Sequence, residues 1–204
     1  GVASLYNITL AEFFFERAVD PVVGAVPEYA YHQLSRTHFI QGEYEASLAE
    51  AYKEIELYPN HWNTYYIIGL TLGFMNKEEE AIEAFGKFIE YKPGSWAARN
   101  DRAWLQFRIG DIDCALETVT PVVGDINNPW IQNTYGTLLM NKKQYEEAKE
   151  AFENAKQSAG GMSEELWGIA YPGNDPRVHG SGLTAMQKSI ENNLRILALL
   201  QELE

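Results

Sequence analysis

The sequence predicts an all-α fold, a solenoid of stacked helix-turn-helix repeats with an extra helix at each end. Three observations predict it. Trp62, Trp96 and Trp130 fall 34 residues apart, as do Pro59 and Pro93. Ser47, Ala81 and Ala115 keep the same interval, and Ala148 follows 33 residues later. Leu48, Ile82 and Leu116 run in phase with them, and Gly42, Asn76 and Gly110 mark the turns. Several columns sharing one period of this length are the signature of a repeat architecture.

Composition bounds the rest. The chain has 204 residues, 46% of them hydrophobic, enough for one or two domains with a proper core. Its formal net charge is −13, which argues against nucleic-acid and anionic-membrane partners, since both are held by lysine and arginine. A single cysteine, Cys114, excludes an internal disulfide framework. No apolar run approaches the ~20 residues of a membrane-spanning helix. The first residue is Gly1 and not methionine; a removed secretory signal would account for that, so an extracellular location is slightly favoured over a cytoplasmic one.

Residues 1–27 are expected to form an N-terminal capping helix or arm, with its helix at 9–19. Phe13, Phe14 and Phe15 are consecutive there, about 100° apart around a helix, so one neighbouring helix cannot cover all three. Either the following loop wraps them or a second chain buries them.

Residues 28–162 divide into four repeats, 28–61, 62–95, 96–128 and 129–162. In the second, Tyr65, Ile68, Leu72 and Met75 step by three or four, and so do Ala81, Ile82, Phe85, Phe88 and Ile89 after the turn at Asn76. Each set makes one apolar stripe on a helix. Small residues at Gly69 and Ala81 allow the two helices to approach, and Pro93 stops the second. Glu78, Glu79, Glu80 and Glu83 are then the solvated face of that second helix, favoured near its positive N-terminus.

Residues 163–204 are expected to be an ordered loop plus a C-terminal helix. The glycine- and proline-rich stretch 160–182 allows a short helix at 163–170 and otherwise a loop, or an arm reaching a neighbour. Over 183–204, Leu183, Met186, Ile190, Leu194, Leu197 and Leu200 form one stripe, widened by Ile196, Leu199 and Leu203. A terminal solenoid helix ordinarily turns a polar face to water, so apolar residues on more than one side suggest an interface.

The repeat pattern resembles the tetratricopeptide repeat family over residues 28–162. The second repeat carries Tyr65, Ile68-Gly69, Leu72, Ala81, Phe85 and Pro93, and the fourth carries Tyr135-Gly136, Leu139, Tyr145, Ala148, Phe152 and Ala155. The first has Ser35 where the family has glycine and Ser47 where it has alanine; the third has Arg99 and Arg102 at usually apolar positions. The resemblance implies a right-handed superhelix whose first helices line a concave, peptide-binding groove. By position that groove holds Tyr29, His32, Arg36 and Phe39, then Asn63, Tyr66, Leu70 and Phe74. The later repeats add Asn100, Trp104, Phe107 and Arg108, then Asn133, Thr137, Met140 and Asn141. Asn100 and Asn133 match the asparagines of the family's carboxylate-clamp members, but the clamp lysines are missing.

No catalytic constellation is legible, and no cofactor or metal is expected. His32, His38, His61 and His179 show no i,i+4 pair, and one cysteine cannot build a zinc set. Cys114, next to Ala115, is expected to be buried or half-buried. Gly180 to Ala185 reads as the turn feeding the last helix, since a phosphate loop needs a strand before it. The expected function is therefore non-enzymatic protein–protein interaction. In the first reading the chain is a self-associating structural subunit, a homo-oligomer or extracellular filament or tube. That reading uses Phe13, Phe14, Phe15, Leu197, Leu200 and Leu203. In the alternative it is an adaptor that binds a peptide of another protein in the groove.

Overall fold

The computed structural model describes residues 2–171 and 182–203. Among them are eleven α-helices, one short 3-10 turn and no strand. The all-α repeat fold expected from the sequence is the fold observed. The helices gather into two compact units, Gly1–Tyr91 and Lys92–Glu204. That division falls inside the repeat run.

The first unit holds α1 (Val2–Val19), α2 (Ala30–Gln41), α3 (Tyr44–Leu57), α4 (Asn63–Phe74) and α5 (Glu78–Tyr91). Each packs against the next in order. Gly42 ends α2 in the left-handed conformation, φ 81°, and donates its N–H to the carbonyls of His38 and Phe39. Asn76 does the same work between α4 and α5 at φ 56°. The acidic start of α5 is solvated as expected: Glu79, Glu80 and Glu83 are exposed, and Lys87 Nζ lies 2.9 Å from Glu83.

The second unit holds α6 (Trp96–Arg108), α7 (Ile112–Val119), the 3-10 turn Thr120–Val122 and α8 (Pro129–Asn141). It continues with α9 (Tyr145–Gly160), α10 (Glu164–Ala170) and α11 (Gly182–Glu202). Side-chain caps start four of them: Ser95, Asp111, Asn128 and Ser163 accept from the N–H groups of Ala98, Cys114, Ile131 and Leu166. Pro121 cuts α7 to two turns. One of the two unusual arginines of this repeat compensates: Arg99 donates to the Pro93 carbonyl at 2.7 Å and to the Thr118 carbonyl at 2.9 Å. Arg99 thus ties α6 to the end of the shortened helix.

In two of the repeats a glycine–phenylalanine contact sets how closely the two helices approach. A methyl built on Gly69 would lie 2.9 Å from the Phe85 ring, and one on Gly136 would lie 2.8 Å from the Phe152 ring. The same positions in the other repeats are Ser35 with Ala51 and Ala103 with Val119, all fully buried. Where the first helix has no side chain, the second fills the space with phenylalanine. Where it has one, the partner is smaller. Ser35 is also held by polar contacts, its Oγ 3.2 Å from Ser47 Oγ, which is 3.0 Å from Thr71 Oγ1.

Two expectations are corrected. Cys114 is exposed, not buried, because it precedes buried Ala115 in the first, Asp111-capped turn of α7. Leu197 is buried within its own chain, packed with Leu139, Ala148 and Phe152. Residues 172–181, with most of the expected arm and His179, lie outside the described residues.

Candidate interaction surfaces

The two terminal helices carry apolar residues that their own units leave uncovered. On α1, Leu10, Phe13 and Phe14 are 41%, 54% and 60% exposed, spaced i, i+3, i+4 on one face. Phe15 is half-buried, and the loop that follows leaves Phe13 and Phe14 open. On α11, Leu183, Ile190 and Leu197 are the buried stripe, Leu200 is half-buried, and Ile196 and Leu199, with Leu203 just beyond the helix, form a second, exposed row. The widening residues of the sequence pattern, not the main stripe, are the ones that face solvent.

Two groove positions of the first unit, Tyr29 and His32, are bonded to a buried carboxylate. Glu54 of α3 is fully buried and accepts from the N–H of Tyr29 at 2.9 Å and of His32 at 3.1 Å. It also lies 2.6 Å from His61 Nδ1. It therefore serves as the N-cap that α2 otherwise lacks. Tyr29 is held in the left-handed region, φ 64°, with its ring stacked on His61 at 3.9 Å. That conformation costs energy for a bulky residue, and the Glu54 bond and the stack hold it in place. His32 is buried against Thr64, 3.1 Å away, and burial, with Arg36 nearby, lowers its pKa to about 4.

His32 and Leu70 are thus interior, whereas Arg36 and Asn63 are exposed. Tyr66 is half-buried with its ring 5.5 Å from Phe85 and 5.2 Å from Phe88. Phe39 is interior too, with its ring edge on Phe74.

In the second unit the chain's own later residues meet several groove positions. Asn100 is buried; its amide donates to the Tyr171 hydroxyl at 2.9 Å and its oxygen accepts from Thr134 at 2.8 Å. The Tyr171 hydroxyl donates to the Asp101 carboxylate. Burial and that carboxylate push the phenol well above its ordinary pKa. The Tyr171 ring packs on Trp96 and Trp130 at 5.2 and 5.3 Å. Asn133 accepts from Asn193 of α11 at 3.0 Å, and Thr137 is buried, donating to the Asn133 carbonyl. Trp104 remains 42% exposed, its ring 5.3 Å from Phe107, with exposed Arg108 on the same helix. Sequence reasoning missed Tyr171 and Asn193, which lie far along the chain from their partners.

Reactive groups are sparse. The Cys114 thiol is pushed up by a hydrogen bond to Asp111, the opposite of what an activated nucleophile needs. Glu12, His38 and Glu43 are a group of potential metal ligands, their nearest atoms within 4.8 Å of one another. No described helix is long and apolar enough to cross a membrane.

Antiparallel helix pairs, locked by small-to-large contacts and repeated along the chain, define a helical-repeat protein. The tetratricopeptide-repeat family model matches residues 63–95 and 131–159. Those are the two segments whose helices interlock glycine against phenylalanine. Solved structures share the fold. MamA MSR-1 superposes with TM-score 0.64 at 17% identity, covering 78% of this chain and 90% of that one. MamA AMB-1 gives 0.65 at 18%, covering 82% and 91%. MamA RS-1 gives 0.59 at 16%, covering 81% and 93%. No curated protein sequence matches the chain. The repeats and their fold support a protein-interaction, scaffold-type role.

Proposed function

We propose that the chain is a non-enzymatic structural subunit that associates with copies of itself through the exposed faces of α1 and α11. One observation carries this reading. Phe13 and Phe14 on α1, Ile196 and Leu199 on α11, and Leu203 just beyond it stay 46% to 82% exposed after each helix has packed on its own unit. Contiguous apolar rows of this kind mark interfaces. Both rows belong to every copy, so association can repeat from one chain to the next and give a closed ring or an open filament.

Sedimentation of the purified chain tests it. The wild type is expected well above 23.1 kDa. Phe13→Glu with Phe14→Glu, or Leu199→Glu with Leu203→Glu, should return it towards monomer without loss of helix, since none of these residues is buried. A monodisperse monomer at high concentration sinks the reading.

The exposed pair Trp104 and Arg108 favours a second reading, an adaptor that holds a peptide of another protein against α6. Large aromatic and arginine side chains are the residue types that dominate such contacts. Trp104→Ala should then abolish capture of that partner and leave assembly unchanged. Capture that survives the substitution removes the adaptor reading.

A further inference from the structure

The geometry points to a divalent transition-metal site formed by Glu12 of α1, His38 of α2 and Glu43 of the α2–α3 turn. These residues are distant in sequence and the fold of the first unit brings them together. His38 Nδ1 lies 2.7 Å from Glu43 Oε2 and 3.9 Å from Glu12 Oε1. Ligands around a tetrahedral zinc ion sit roughly 3.4 Å apart, given metal–ligand bonds of about 2.0–2.2 Å. The two observed separations bracket that value, so side-chain adjustments of about 0.5–0.7 Å bring these two pairs of donors to the spacing one ion requires. One imidazole and two carboxylates suit zinc and similar borderline first-row ions, not a soft ion such as Cu(I).

Charge argues the same way. Among the described residues, the only ion-pair partner of either carboxylate is His38. The two carboxylate groups lie within 4.8 Å of each other and repel. A divalent cation removes that repulsion.

The surroundings also fit. The Gln41 amide donates to Glu12 Oε2 at 2.8 Å and leaves Oε1 turned towards His38. Orienting bonds of this kind accompany metal-bound carboxylates. The other end of that amide, Gln41 Oε1, is buried with no donor. Bound metal would fasten α1 to the α2–α3 hairpin, and so fix the helix that carries Phe13 and Phe14.

The test is a zinc titration of the EDTA-stripped full chain at pH 7.5, followed by calorimetry and by thermal melting. One saturable site per chain is expected, with a higher melting temperature on saturation. His38→Ala and Glu12→Gln should each weaken binding at least about tenfold. Exposed Glu43→Gln serves as the third variant, whose fold the turn position should spare, and circular dichroism checks all three. Absence of saturable binding in the wild type overturns the site. So does wild-type affinity in any folded variant, or displacement of zinc by equimolar magnesium, which would mean diffuse carboxylate binding.

Discussion

Gly136 has no room for a methyl group, because Phe152 stands 2.8 Å from where it would be. Gly136→Ala should therefore destabilise the second unit by about 1–3 kcal/mol, the usual cost of overpacking a tight core. Ala103 with Val119 shows the compatible alternative, so adding Phe152→Val should return part of the loss. Urea unfolding of both single variants and the double variant measures the coupling; strict additivity would refute it. His32 gives a pH prediction. Its pKa is 6.5 in an open chain and about 4 in the fold, where burial favours the neutral ring. As pH falls below 6.5 the unfolded chain takes up the proton first, so stability is lost between about 6.5 and 4. The full effect is about 3 kcal/mol. A urea midpoint that falls over that window in the wild type, and falls less in His32→Gln, is the expected result. Much at this scale was legible: Gly69, Ala81, Phe85 and the turn residues follow from period and size alone. The interior places of His32, Leu70, Asn100 and Thr137 were not, because position in a repeat tells which side of a helix a residue occupies but not what covers that side.

The helices themselves were read well wherever local chemistry sets their ends. Gly42, Asn76 and Gly110 mark turns in the sequence and adopt positive φ in the structure. The fourth turn uses Lys143 at φ 62°. A side chain there is strained, so Lys143→Gly should raise the stability of the α8–α9 hairpin by up to about 1 kcal/mol, read as a higher melting temperature. The terminal helices were harder. An apolar pattern on two sides of α11 announces that two surfaces exist, but not which one the chain keeps for itself. Contact with Leu139, Ala148 and Phe152 takes Leu197 and leaves Leu199 and Leu203 outside. Tyr171 was invisible for a different reason: its aromatic and polar partners Trp96, Asn100 and Asp101 lie about seventy residues earlier, and no periodicity links them.

For the whole molecule, the proposed self-association would depend on the balance between apolar rows and charge. Each chain carries a net charge of −13, so like copies would repel one another before any apolar faces met. Raising ionic strength screens that repulsion and leaves hydrophobic association intact. The sedimenting mass should therefore grow between low and physiological salt. An assembly that dissolves as salt rises would point to ion pairs instead of α1 and α11 as its contacts.

The helix-to-helix lock has a consequence for descent. Glycine facing phenylalanine and alanine packed with valine are two solutions of one spatial problem, so neither position can drift freely alone. Copies made by duplication could diverge here only through paired changes, or through an intermediate that carried a clash or a void. Residues 69 and 85, and 136 and 152, should accordingly covary when related chains are aligned, and helices exchanged between the second and third repeats should fit only if both members of the lock travel together.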